Sequence, residues 1–251
     1  MPDSLAGDER GRALFARYAH SPNALGYCGP PTGAVLARVA AGESVEPGQV
    51  ARVAAAFTGA WPYQQVIGAM SGLDPLAEEV VRAYWTGSDL LASIDRRAFG
   101  EALLERIAPI AGPMWTHLTP DLLVEAAPTH AFHVFGVYPW SRLLATGRPE
   151  PLTVLESCRI GWGEVIEVRD DGLLVRGPRL VLDGALALGG PVERVIAPGW
   201  SGADVGDVVA IHWDAAVEVL TPERLAHLER VTTWQLTACA PRLTGQTEEE
   251  R

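Results

Sequence analysis

The feature that most limits what this chain can become is a change of hydrophobic period partway along it. Up to about residue 150 the apolar residues recur at intervals of three and four; beyond Cys158 they alternate. A period near 3.6 buries a stripe on a helix, and a period of two buries one face of a pleated strand. One stretch therefore reads as helices and the other as strands, which predicts an α+β chain of two domains.

In the first stretch Leu14, Phe15 and Tyr18 share a helical face over residues 8–20. Ser21-Pro22-Asn23 should end that helix, because proline disfavours helical backbone at the residue before it. Tyr27-Cys28-Gly29-Pro30-Pro31 predicts a rigid loop, and Thr32 a cap for a short helix through Val35, Leu36 and Val39. Val50, Val53, Ala54 and Phe57 mark another buried stripe. Asp74-Pro75, followed by Glu78 and Glu79 at the positive end of the dipole, opens a further helix, and Asp95 caps one carrying Phe99, Leu103 and Ile107. Arg148-Pro149-Glu150-Pro151 has the composition of a junction. Residues 1–150 are thus expected to form an all-α bundle.

In the second stretch Ile166 and Val168 alternate with Glu167 and Arg169, and Asp170-Asp171-Gly172 predicts a hairpin turn. Short apolar runs at 180–182, 192–196 and 208–211, separated by Gly, Pro and Asp, suit a small barrel or sandwich. Thr221-Pro222-Glu223 caps a last helix with Leu225, Leu228 and Val231 on one side. The domain is expected over 151–240, with 241–251, ending in Glu248–Glu250, as a disordered acidic tail.

The formal charge of −11, from 31 acidic and 20 basic residues, argues against capture of nucleic acid or an anionic membrane. No apolar run reaches the roughly 18 residues of a membrane span. The opening residues are too charged for a secretory leader, and three scattered cysteines without a CxxC make no disulfide framework. A cytoplasmic location is expected.

Two sets of side chains offer chemistry. Cys158 and His212 supply a thiolate and an imidazole, a pair that suits iron, zinc or copper. In the helical part His130 and His133 stand three apart and share a face if the segment is helical. Cys28, ahead of a helix N-terminus where a dipole lowers a thiol's pKa, would complete a metal- or cofactor-dependent enzyme site with them. The competing reading of both histidines is hydrogen bonding in an aromatic core beside Phe132, Phe135, Tyr138 and Trp140. No G-x-S-x-G, Walker A or strand-following G-x-G-x-x-G sequence occurs.

The order Cys158-x-x-x-x-Gly163, a Val/Ile-rich strand, a hairpin, then Val205-Gly206-Asp207-Val208-Val209-Ala210-Ile211-His212 and a capped helix resembles the HypC-type chaperones of [NiFe]-hydrogenase maturation. The likeness covers Cys158 to Leu236. It implies a small OB-like β-barrel with a C-terminal helix, and assigns to Cys158 and His212 the residues associated there with an Fe(CN)2CO fragment. A hydrogenase large subunit or maturation factors would be the partners of such a non-catalytic chaperone. The "YCGPP" and "HAFHVFGVYPW" blocks are similar to those of uncharacterised hydrogenase-associated proteins carrying this module. Because Cys158 is internal, behind the helical part, the resemblance points to a fused docking or sensing version.

Overall fold

A computed structural model describes residues 2–46, 48–109 and 118–244. The chain divides into two compact units, Met1–Leu123 with Pro128–His130, and Val124–Ala127 with Ala131–Arg251.

The first unit is helical: α1 (Pro2–Ala24), α2 (Gly33–Ala40), α3 (Gln49–Ala55), α4 (Trp61–Ser71), α5 (Glu78–Thr86) and α6 (Arg96–Ile107), with a 3-10 turn at Asp89–Ser93. Helix α1 packs on α2 and α5, and α4 on α5 and α6. The apolar stripes read from the sequence are the ones buried: Phe15 and Tyr18 from α1, Leu36 from α2, Tyr84 from α5, Phe99 and Leu103 from α6. Asp95 caps α6 as expected, accepting from the Ala98 N–H at 2.7 Å.

Three local expectations are corrected. Helix α1 runs through Pro22 to Ala24. So near the helix end proline removes only one donor, and Leu25 N–H to Ser21 O (3.1 Å) and Tyr27 N–H to Pro22 O (2.8 Å) restore the pairing around it. Thr32 precedes α2 but makes no capping bond; its hydroxyl donates to Pro30 O at 3.1 Å. Asp74 accepts from Leu76 N–H at 2.8 Å in a turn, and α5 starts only at Glu78.

The Tyr27–Pro31 loop is held by Asn23, whose Nδ2 donates to Cys28 O (2.8 Å) and Pro30 O (2.6 Å). Gly29 has φ +73°, and a Cβ there would stand 2.6 Å from the Phe57 ring. Only glycine satisfies both constraints.

The second unit resumes within an irregular helix whose first residue, His130, belongs to the first. α7 (His130–Phe132) continues as a π-helical turn (His133–Val137), followed by α8 (Trp140–Leu143) and α9 (Pro149–Cys158). The Arg148–Pro151 stretch is therefore a helix start, with proline where its missing donor costs nothing. The division of the chain falls at Val124–Ala131, well before the expected residue 150. The cause is packing: Val134, Phe135 and Leu144 share one core with Leu155, Cys158, Leu180 and Leu236.

Five strands follow: β1 (Gly161–Arg169), β2 (Gly172–Asp183), β3 (Ala185–Ile196), β4 (Val208–His212) and β5 (Ala215–Val219), then α10 (Pro222–Leu243). The sheet order is β3-β2-β1-β4-β5, and every named pair is antiparallel. Val165, Leu173, Val175, Ile196, Val209 and Ile211 form the core of its inner face. Just past β3, Ala197 makes an isolated parallel bridge to Ala215 at the start of β5. Thr221 caps α10 by accepting from Arg224 N–H at 3.3 Å. The α+β architecture is thus as the sequence implies. Helix α10 reaches Leu243, so residues 241–243 are helix and not tail; Glu248–Glu250 lie outside the described residues. Among the described residues no helix is long and apolar enough to cross a membrane.

Candidate metal site

The sequence places Cys158 at the opening of a strand, but the structure makes it the last residue of α9. Arg159, with φ −65° and ψ 153°, turns the chain out of the helix, and Gly161 begins β1. The antiparallel register of β1 on β4 sets Gly161 opposite Ile211, which brings the end of β4, His212, back to this corner. His212 pairs with Ala215 across a two-residue turn, Trp213-Asp214. Both turn residues have positive φ, 50° and 52°. A tight hairpin turn demands this geometry, at a cost of about 1–2 kcal/mol for each residue that is not glycine. From this strained turn Trp213 N–H donates to Ser157 O at 2.9 Å, stitching it to the last turn of α9.

As a result Cys158 Sγ and a ring nitrogen of His212 lie within 4.8 Å of each other. Both residues are buried, at 8% and 2% exposure. Two candidate ligands identified far apart in the sequence are neighbours in space.

Beside this pair lies a charge network that the sequence reading did not identify. Glu156 and Arg159 are both buried and joined at 2.9 Å. Glu156 Oε2 also accepts from Leu180 N–H (2.8 Å), while Arg159 Nη2 donates to Pro178 O (2.7 Å). Arg194 Nη1 (3.3 Å) and Arg179 Nε (3.4 Å) reach the same carboxylate. Arg159 also sits 5.6 Å over the Trp162 ring. These bonds anchor the end of α9 to β2 and β3. The only trace in the sequence is a Glu and an Arg three apart at a helix end, a spacing usually read as a solvated surface pair.

His133 opens the π-helical turn and stacks on Tyr138 with ring centroids 5.5 Å apart. The residue keeps some exposure, but its Nδ1 is covered. Burial first, and the nearby His212 second, pull its pKa down to about 4, so the imidazole is neutral at physiological pH. The carbonyls of this turn are satisfied by arginines: Phe135 O by Arg242 Nη2 (2.7 Å) and Gly136 O by Arg142 Nη1 (3.0 Å). Arg242 in turn grips Glu125 with contacts of 2.6 and 2.9 Å.

His130 belongs to the helical unit, where its Nδ1 shares a 3.0 Å hydrogen bond with the Tyr84 hydroxyl and its ring lies 4.6 Å from that of Trp85. Cys28 sits in the loop clamped by Asn23. Burial pushes its thiol up to about 11, opposite to the lowering that a helix N-terminus would give. Cys239, the remaining thiol, is pushed up to about 12 by burial and then by Glu125. Among the described residues, neither Cys28 nor His133 joins a group of three or more side chains placed to share a metal.

The raised thiol of Cys28 has a measurable consequence. Its protonated form persists above the ordinary thiol range, so the thiolate fraction near neutral pH falls about 100-fold. Iodoacetamide should label Cys28 at least about tenfold more slowly than free cysteine at pH 8, the rate climbing until the pH approaches 11. Peptide mapping of the labelled protein reads this directly, and labelling as fast as free cysteine contradicts the burial.

A family described as "Family of unknown function (DUF6390)" matches residues 7–246 of the chain. Comparison with curated proteins and with solved structures returns no match.

Proposed function

The chain therefore belongs to that family of unknown function, and we propose, from its own site, that it is a non-catalytic accessory protein of [NiFe]-hydrogenase maturation that holds an iron species through Cys158 and His212. The observation that carries this reading is the approach of the two side chains to within 4.8 Å. A thiolate beside an imidazole, both screened from water, is a donor set for a transition metal with borderline-soft character. Two protein donors leave further positions on iron for small ligands such as cyanide and CO, and for a donor from a partner. The partners on this reading are a hydrogenase large subunit or its maturation factors.

The OB-like barrel belongs to the same proposal. In a run of five alternately antiparallel strands the two outermost point the same way, so their meeting requires a parallel contact. The Ala197–Ala215 bridge is such a contact, and Ala197 N–H to Asp214 O (2.8 Å) and Ala216 N–H to Ala197 O (2.9 Å) support it.

Protein made anaerobically alongside the maturation machinery is expected to carry about one iron per chain, with infrared bands of cyanide and CO. Cys158→Ala and His212→Ala should each lose both the metal and the bands; bands intact in Cys158→Ala would remove the cysteine from the site.

A further inference from the structure

We infer that Arg194 is a positioning residue that sets the approach of Cys158 to His212 by bridging the two segments that carry them; this rests on reading that pair as metal ligands. Arg194 projects from β3, two strands away from β1 in the sheet order, and pairs with residues that flank the two ligands. Its Nη1 donates to Glu156 Oε1 at 3.3 Å and to Asp214 Oδ1 at 3.4 Å. Glu156 stands two residues before Cys158 in the last turns of α9, and Asp214 two residues after His212 in the β4–β5 turn. One guanidinium nitrogen therefore ties the helix end bearing the thiol to the turn bearing the imidazole.

The tie acts where the backbone most needs one. Trp213 and Asp214 are held at positive φ without glycine, so the turn stores strain that its surroundings must offset. Among the described residues, its direct backbone link to α9 is Trp213 N–H to Ser157 O at 2.9 Å. Arg159 and Arg179 also reach Glu156, but Arg194 alone of the three is also paired with Asp214. Arg194 is mostly buried, with its side chain 16% exposed, which limits solvent screening at the Glu156 end. Burial lowers its pKa while Glu156 and Asp214 oppose the shift. A cation between two carboxylates makes both of its hydrogen bonds charge-assisted.

The test uses the full-length protein, Co2+ as probe and two readouts. The first is anaerobic titration followed by the thiolate-to-cobalt charge-transfer absorption. The second, independent of metal, is the exchange rate of the Trp213 amide proton by NMR. Arg194→Met is expected to weaken Co2+ binding about tenfold or more, the range found for residues that orient metal ligands. It should also speed Trp213 exchange about tenfold while far-UV circular dichroism keeps its strand and helix signal. Arg194→Lys, which keeps the charge, should recover part of both. Either readout left at the wild-type value in Arg194→Met overturns the inference. If the wild-type protein itself takes up no Co2+, the metal reading fails, and the exchange rate alone then decides the positioning role. Should Arg194→Met not fold, Asp214→Asn carries the test, since that carboxylate is 63% exposed and its loss is tolerable; unchanged exchange at Trp213 again overturns the inference.

Discussion

Glu156→Ala is expected to lower the stability of the second unit by about 3–5 kcal/mol, the range for removing one partner of a buried ion pair. Its carboxylate accepts from Arg159, Arg194 and the Leu180 N–H, and pairs with Arg179 at 3.4 Å. Without it Arg159, at 2% exposure, keeps a charge it cannot hydrate, and three guanidinium groups face one another with little between them. The Leu180 N–H is also orphaned inside the unit, a further cost of about 1–3 kcal/mol that overlaps the first. Urea unfolding followed by circular dichroism measures the loss. The double variant Glu156→Leu/Arg159→Met should recover a large part of it, because an apolar pair in place of a buried ion pair is often neutral or better. A loss below about 1 kcal/mol for Glu156→Ala, the size of a surface pair, would contradict the burial of this network.

Gly11→Ala is expected to destabilise the helical unit by about 1–3 kcal/mol or more, the range for forcing atoms into a packed contact. The sign is the opposite of the ordinary one, since alanine within a helix is favoured over glycine by about 1 kcal/mol. At this position the added Cβ would stand 1.9 Å from Leu76 O and 2.7 Å from Glu78 N, both backbone atoms that no rotamer change can move. Helix α1 lies directly on the segment that enters α5, and only a bare Cα permits the approach. Thermal unfolding decides between the two terms: a raised midpoint would show that α1 does not rest on this segment.

Both effects come from contacts that sequence patterns do not express. Gly11 sits in a stretch whose helical character was legible from Leu14, Phe15 and Tyr18, but nothing near it names Leu76 as its neighbour. Glu156 and Arg159 have the spacing of a solvated helix pair, and only the arrival of β2 and β3 makes them interior. The expected boundary near residue 150 erred for a similar reason. Prolines at 149 and 151 break a helix or begin one, and which of the two happens depends on what the flanking residues pack against. Here Val134, Phe135 and Leu144 find their core with Cys158 and Leu180, so the junction moves upstream.

The sequence by itself determined the elements whose causes are local. The change of hydrophobic period separated helices from strands, Asp95 and Thr221 supplied their caps, and Asp170-Asp171-Gly172 turned β1 into β2. It also singled out Cys158 and His212 by residue type. What only the tertiary structure decided is that those two meet. Their approach depends on the β1–β4 register, on a strained turn held to α9, and on Arg194 reaching a carboxylate at either end. Each of these joins residues far apart in the chain, and pairing over such separations is set by burial and strand register, which no short-range pattern encodes.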